Sequence, residues 1–313
     1  LQERARYAEA EPLYRRALQI REQTLGSDHP NVVYPLNGLA RIYREMGRYA
    51  EAEPLYQRAL QIREQTLGSD HPNVAESLHR LAFFYREQGR YTEAEPLYQR
   101  ALHIWKQFPN KDLLNAANSF YGLAFLYKEE GRYTEAEPLY QRALQIREQS
   151  LGPDHPLVAS ALNGLAHIYR ELDRYTEAEP LYQRALQIRE QALGPDHPLV
   201  ASALNGLAHI YGRQGQYAEA ESLYQRALHI REQALGPDHS LVAYSLNGLA
   251  YIYKEQGQYA EAESLYLRAL HIWKQALGSD HPDTVYSLNG LACIYKEQGR
   301  YAEAESLYQR ALH

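Results

Sequence analysis

Residues 133–174 read YTEAEPLYQRALQIREQSLGPDHPLVASALNGLAHIYRELDR, and residues 175–216 repeat them with 36 of 42 positions unchanged. The same frame runs through the whole chain. Self-similarity at a fixed period of this length marks a solenoid, in which each unit buries its apolar face only against its neighbours. Repeated positions then build the scaffold, and function is sought where the copies differ on one exposed face.

One copy, Asp70–Lys111, shows how the unit folds. Asp70-His71-Pro72 opens a first helix, with aspartate expected to accept from the free N–H groups and proline tolerated in the first turn. Val74, Leu78, Leu81, Ala82 and Tyr85 form the i, i+3, i+4, i+7 stripe of an amphipathic helix. Gly89 ends it, since glycine takes the left-handed conformation at low cost. A second helix is expected from Thr92, because Thr92-Glu93-Ala94-Glu95 has capping-box spacing. Its stripe is Ala94, Leu97, Tyr98, Ala101, Leu102 and Ile104. We call the first helix of each repeat A and the second B. Pro96 falls inside B and should delete one helical hydrogen bond, and Pro35 should distort the first complete A helix. Small alanines such as Ala82 and Ala94 let helices approach closely, and three tyrosines per unit fill the larger gaps.

Fifteen helices or helix fragments follow, all-α, in one array of about 7.5 repeats over residues 1–313. Both ends cut through a repeat, which predicts a slice of a longer protein. The connection at 105–115 is irregular: Trp105-Lys106-Gln107-Phe108-Pro109-Asn110-Lys111-Asp112 replaces the usual RExxLGxD stretch, which reads as a tolerated neutral lapse, a bend in the stack or a convex contact. Trp273 stands where other copies carry arginine and is expected to pack on the following repeat.

Thirty-three basic against 39 acidic residues give a net charge of −6, which argues against a nucleic-acid surface spanning the molecule. The lone Cys293 rules out an intrachain disulfide and fits a cytoplasmic setting. No apolar run reaches the roughly 18 residues of a membrane span. The histidines His29, His71, His155, His197, His239 and His281 each follow an aspartate at an inter-repeat connection, which predicts capping and loop roles rather than metal binding. No glycine-rich phosphate loop, HExxH or GxSxG motif is present, so no enzyme activity, cofactor or metal is expected.

The pattern Leu78-x-x-Leu81-Ala82-x-x-Tyr85, followed by Gly89, Tyr91, Ala94, Tyr98 and Ala101, resembles the tetratricopeptide repeat. The 42-residue period and the LGxDHP connection are similar to its kinesin-light-chain subtype. Repeats of this subtype also resemble those attached to NB-ARC or NACHT-type signalling ATPases, where they act as sensor or partner-binding arms. The resemblance implies a right-handed superhelical α-solenoid. Its concave groove, lined by A helices, would bind an extended peptide or protein segment.

Three groove positions per A helix follow from it. The first reads Asn37, His79, Tyr121, Asn163, Asn205, Asn247 and Asn289; an asparagine ladder suits peptide-backbone recognition, or else the amides are solvated or interhelical. The second is the most variable: Arg41, Phe83, Phe125, His167, His209, Tyr251 and Cys293. Phe83 and Phe125 there would make an apolar pocket or extra inter-repeat packing. The third reads Arg44, Arg86, Lys128, Arg170, Gly212, Lys254 and Lys296, a basic stripe suited to an acidic segment unless local carboxylates neutralise it. A fourth column of Gly38, Arg80, Gly122, Gly164, Gly206, Gly248 and Gly290 leaves only Arg80 for a carboxylate clamp of the co-chaperone type, which is therefore not expected.

Overall fold

In the computed structural model, which describes residues 2–108, 111–278 and 281–312, every regular element is helical among the described residues. Contacts divide the chain into two compact units, Leu1–Gly152 and Pro153–His313. In unit 1 the elements are α1 (Gln2–Leu25), a 3-10 turn (Pro30–Val32), α2 (Val33–Glu45), α3 (Tyr49–Leu67), α4 (Pro72–Glu87), α5 (Tyr91–Gln107), α6 (Leu113–Glu129) and α7 (Tyr133–Leu151). Unit 2 runs through α8 (Pro156–Glu171), α9 (Tyr175–Leu193), α10 (Pro198–Arg213), α11 (Tyr217–Leu235), α12 (Ser240–Glu255), α13 (Tyr259–Leu277), α14 (Asp283–Glu297) and α15 (Tyr301–Ala311). Even-numbered helices are A and odd-numbered ones B. Each A helix packs along its following B helix, and consecutive A helices touch, as α4 does α6 and α8, α10, α12 and α14 do in turn. No consecutive B helices make a comparable contact among the described residues, so the A helices form the inner layer of each unit.

The helix starts differ from the sequence expectation in two ways. The A-helix cap is histidine, not aspartate: Nδ1 of His71 accepts from the Asn73 backbone N–H at 3.1 Å, with His71 extended at ψ 141°. His29, His155, His197, His239 and His281 repeat the bond at 3.1–3.2 Å. The imidazole reaches the orphan donor that a shorter carboxylate one residue earlier does not, which is what a cap must do. The capping box also fails. B helix α5 starts at Tyr91 with Arg90 as its cap residue and no side-chain cap bond, so Thr92 already lies inside the helix. Glu95 is engaged elsewhere, accepting from Tyr127 Oη at 2.9 Å and from Arg132 at 3.1 Å.

The A-to-B turn is as the sequence predicts. Gly89 sits at φ +71° and the Arg90 N–H returns to the Tyr85 carbonyl at 3.0 Å, satisfying a C-terminal acceptor. Asp173 occupies the same position without glycine, at φ +56°. The prolines Pro12, Pro54, Pro96, Pro138 and Pro180 lie inside helices that run through them unbroken. Pro35 does distort its helix: it has no N–H for the Asn31 carbonyl, and residues 30–32 wind as a 3-10 turn where Pro72 starts a full α-helix. The Asn31 carbonyl accepts from Arg21 instead.

Around the irregular connection, α5 stops at Gln107 and α6 starts at Leu113 after a left-handed Asp112 at φ +56°. Pro109 and Asn110 lie outside the described residues. Trp105 is buried at 4 % exposure, so this stretch does not present its tryptophan to solvent. Trp273 packs edge-on against Tyr244 of α12, at 5.3 Å between centroids, within a cluster of Val242, Ala243, Leu246 and Ile272. Its partner is thus the A helix preceding it rather than the following repeat. In other copies arginine at this position reaches forward to a carbonyl of the next A helix: Arg63 to Asn73 at 2.6 Å, Arg231 to Leu241 at 2.8 Å. Tryptophan gives up that hydrogen bond for apolar contact with the A helix of its own repeat.

Two devices hold consecutive repeats together. First, in five of the joints a tyrosine of the B helix, half-buried at Tyr14 and buried in the others, lies against a glycine of the next A helix. A Cβ on Gly38, Gly122, Gly206, Gly248 or Gly290 would stand 2.2–2.5 Å from the ring of Tyr14, Tyr98, Tyr182, Tyr224 or Tyr266 respectively. Only glycine allows that approach, and each ring so buried contributes on the order of 2 kcal/mol. Arg80 is the exception; there Tyr56 lies on Phe84, centroids 5.5 Å apart, and Arg80 turns to Glu76 at 2.7 Å. Second, a B-helix glutamate receives the last tyrosine of the next A helix and the arginine of the following turn. Glu53 accepts from Tyr85 at 2.9 Å and Arg90 at 2.7 Å while that guanidinium covers the Tyr85 ring. The Arg90 hydrogen bond, against some opposing burial and with help from Tyr85, holds the Glu53 carboxyl below the usual range.

Candidate functional site

The inner layer of each unit presents the three columns named above. In the first column the interhelical alternative is realised at several rungs. Asn205 exchanges hydrogen bonds with Ser245 of the next A helix at 3.1 and 3.2 Å, Ser287 donates to Asn247 at 3.1 Å, and His79 meets Ser119 at 3.1 Å. Asn163 accepts from Arg189 at 3.2 Å. Tyr121 lies edge-on to Tyr140 and under Arg147. The Asn37 carbonyl oxygen is buried without a partner, and Asn289 is exposed. The amides therefore join A helices first, and half-buried Asn205 and Asn247 keep only part of their capacity for a ligand.

The second and third columns interleave in unit 1. The Arg44 guanidinium carbon lies 4.9 Å from the Phe83 ring centroid and that of Arg86 4.5 Å from the same ring. Arg86 also stands 4.8 Å from the Phe125 centroid, and Lys128 Nζ lies 4.5 Å from it. Cation and ring alternate across α2, α4 and α6 in the order Arg44, Phe83, Arg86, Phe125, Lys128. Each contact is worth roughly 0.5–1 kcal/mol at a half-exposed site. Of the two alternatives for Phe83 and Phe125, inter-repeat packing is the one formed, because both rings are occupied by cations.

The basic column is partly neutralised, as the neighbouring glutamates suggest. Arg44 pairs with Glu45 and, at 3.2 Å, with Glu87; Lys128 pairs with Glu129 at 2.5 Å. In unit 2 Arg170 binds Glu171 and touches His167 Nε2 at 3.1 Å, and Lys254 binds Glu255 at 2.8 Å beneath the Tyr251 ring. Gly212 leaves a gap filled by its neighbours, Ile252 and Tyr251, and the adjacent Arg213 guanidinium is held charged beside Tyr175 and Tyr251. Arg41 and Lys296 are exposed. Arg80 is tied to Glu76, which also holds Arg63 at 2.9 Å.

Two histidines of these columns are held neutral. Burial, aided by Arg80 and Arg86, pushes the His79 imidazole down to about 4. Burial with Arg170 and Arg213 takes His209 down to about 3. Cys293 is half-buried with its Sγ 3.4 Å from Tyr308 Oη. No described helix is long and apolar enough to cross a membrane, and no group of three or more His, Cys, Asp or Glu among the described residues could hold a metal ion.

Sequence reasoning missed the Tyr–Glu–Arg clamp and the alternation of the two columns. A signal for the clamp existed, since tyrosine recurs 32 residues after each of these glutamates and arginine 37 residues after all but Glu179 and Glu221. For the ladder, the signal was that Phe83 and Phe125 share one column and are each followed three residues later by a cation.

The model of the tetratricopeptide repeat matches seven overlapping stretches, 1–65, 32–107, 73–130, 115–191, 157–233, 200–270 and 241–312. Among curated proteins no sequence matches. Among solved structures, BtubC (BKLC) of P. vanneervenii is 26 % identical with a TM-score of 0.55, covering 80 % of this chain and 94 % of that one. A kinesin-light-chain-like protein of Podosopora anserina with nearly identical TPR-like repeats is 27 % identical at a TM-score of 0.54, covering 66 % of this chain and 98 % of that one. The quorum sensor NprR of B. thuringiensis shares the fold at a TM-score of 0.70 and 16 % identity, over 94 % of this chain and 80 % of that one.

Proposed function

The chain belongs to the tetratricopeptide repeat family, a protein-interaction scaffold fold, and from that premise we propose that the inner A-helix face binds an extended, acidic protein segment. The observation that carries this reading is the cation–ring ladder from Arg44 to Lys128. It sets three cations on one face of a chain whose net charge is −6, the middle one, Arg86, with no carboxylate pairing it among the described residues. On the inner face of unit 2, taken by itself, half-buried Asn205 and Asn247 offer donors and acceptors for a backbone of any sequence. The role is binding without catalysis, in the cytoplasm, without cofactor, nucleic acid or membrane.

The test uses the full chain as bait for a displayed library of random peptides. Enriched peptides should be acidic, with affinity falling as salt rises. Replacing Arg86 and Lys128 together by glutamate should weaken them at least about tenfold and flatten the salt dependence. Unchanged affinity would end the acidic-ligand reading.

The near-identity of residues 133–174 and 175–216 supports a second reading: a sensor or self-assembling arm of a larger NB-ARC or NACHT-type signalling ATPase. A phosphate-binding loop in any sequence upstream of Leu1 would favour it, and light scattering at increasing concentration would test assembly.

A further inference from the structure

Charge on the ladder is not evenly available. Arg44 is held by Glu45 and Glu87, and Lys128 by Glu129. Arg86 is the middle cation, and among the described residues its guanidinium has no carboxylate or hydrogen-bond acceptor; its contacts there are the two rings. Glu87, its own neighbour in sequence, is drawn away to Arg44. The charge of Arg86 is felt all around it: with burial and Arg80 it depresses His79, and it favours the ionised forms of buried Tyr98 and Tyr140.

A guanidinium is a planar fork whose five N–H groups point outward in its plane, while rings are attracted to its faces. Phe83 at 4.5 Å and Phe125 at 4.8 Å fix the group on α4 between α4's own ring and that of α6. What remains for a ligand is the edge, and an edge of two parallel N–H donors matches a carboxylate. Because the side chain is already immobilised, little rotamer entropy is lost when the ligand arrives.

We propose that Arg86 is the anion seat of the unit 1 ladder: clamped between Phe83 and Phe125, it takes a single aspartate or glutamate side chain of the bound segment in a bidentate pair. The inference rests on the inner-face binding reading and narrows it from a basic stripe to one guanidinium. Arg44 and Lys128 then serve to cover the outer sides of the two rings, with their charges already spent on Glu45, Glu87 and Glu129.

The experiment takes acidic peptides enriched from the displayed library on the wild-type chain. It measures their affinity by fluorescence anisotropy for Arg44→Gln, Arg86→Gln, Arg86→Lys and Lys128→Gln, with circular dichroism to confirm that each variant is folded. Arg86→Gln should weaken binding about tenfold or more, and Arg86→Lys nearly as much, because an ammonium keeps the charge but loses the fork. Arg44→Gln and Lys128→Gln should stay within roughly twofold. Replacing the peptide's single essential carboxylate by its amide should cost nothing further on Arg86→Gln. Equal losses at all three positions, or full affinity in Arg86→Lys, would overturn the single seat and leave inner-face binding standing. Enrichment of peptides without acidic residues would overturn the seat together with the acidic-ligand reading and leave peptide binding alone standing. No enrichment at all would overturn both.

Discussion

Units 1 and 2 are built from the same repeat, yet they have departed from it in different places. In unit 1 the A helices diverge: α4 carries Glu76, His79, Arg80 and Phe83, and α6 carries Tyr121 and Phe125, where α8 and α10 read alike except at their ends. Its clamps are complete, with Arg48, Arg90 and Arg132 each reaching the preceding glutamate. Unit 2 keeps the uniform A face and departs in its turns. Gln216 and Gln258 stand where arginine would complete the clamps on Glu179 and Glu221, leaving Tyr211 and Tyr253 as their partners at 3.3 and 3.1 Å. Arg300 restores the arginine at Glu263, at a looser 3.7 Å. Inner-face chemistry and outer-layer fastening thus vary independently, because the A and B helices meet different neighbours.

The largest effect that would sharpen this contrast lies at the tyrosine–glycine contact. Arginine is native at position 80 of unit 1, yet Gly206→Arg in unit 2 would drive its Cβ to 2.4 Å from the fully packed Tyr182 ring. A loss of more than about 3 kcal/mol is expected in urea unfolding. A loss below roughly 1 kcal/mol would mean that Tyr182 yields as Tyr56 does, and that unit 2 is no stricter than unit 1.

Acid should come next. His79 in unit 1 and His209 in unit 2 have folded-state values depressed to about 4 and about 3, below the ordinary 6.5. The folded state therefore binds their protons less readily than the unfolded one. Their contribution is complete above about pH 6.5 and is lost as pH falls from there toward those values. His79 faces Arg80, Arg86 and Arg147 with only Glu76 opposing; His209 faces Arg170 and Arg213 with Asp173 opposing. The clamp and turn carboxylates Glu51, Glu53 and Glu93 are lowered from 4.5 and lose their contribution only below it. Above it Glu87, raised by burial, works in the opposite sense to the two histidines, and His71, lowered by burial, in the same sense. Between about pH 5 and 6.5, denaturant titrations should show on the order of 1–2 kcal/mol for each of His79 and His209. His79→Asn, which restores the residue usual in its column, should remove the His79 share and His209→Phe the His209 share. An unchanged pH slope in His79→Asn would break the assignment.

The smallest effect tests the outer layer. Gln216→Arg and Gln258→Arg together should raise the thermal midpoint by about 1–2 °C, since half-exposed ion pairs stabilise little. No change, or a fall, would show that unit 2 does not need what unit 1 has.

Helices and turns were legible because period, apolar stripe and glycine position are local signals. What joins the helices was less so. His71 and Asp70 are both plausible caps on paper, and only the extended backbone of His71 brings Nδ1 to the Asn73 N–H. Thr92 and Glu95 have capping-box spacing, but Tyr127 and Arg132 of the following repeat take the carboxylate first. A motif read within one repeat cannot reveal a competitor one repeat away. The inner columns show the same gap: Asn205 and Ser245 are 40 residues apart in sequence and 3.1 Å apart in space. For Phe83 and Phe125 the sequence left pocket and packing open because cations covering them come partly from other helices, Arg44 on α2 to Phe83 and Arg86 on α4 to Phe125.

The tyrosine–glycine contact has a genetic consequence. Tyr182 meets Gly206, Tyr224 meets Gly248 and Tyr266 meets Gly290, each glycine lying 24 residues beyond its tyrosine. Every such joint is interchangeable, so recombination that removes Tyr217–Gln258 in frame still leaves each remaining tyrosine in unit 2 facing a glycine. Copy number can therefore change there without a compensating mutation. Around α4 it cannot, because Arg80 is accommodated by the pairing of Tyr56 with Phe84. The gene can lengthen or shorten where the protein is uniform and is committed where the protein has specialised.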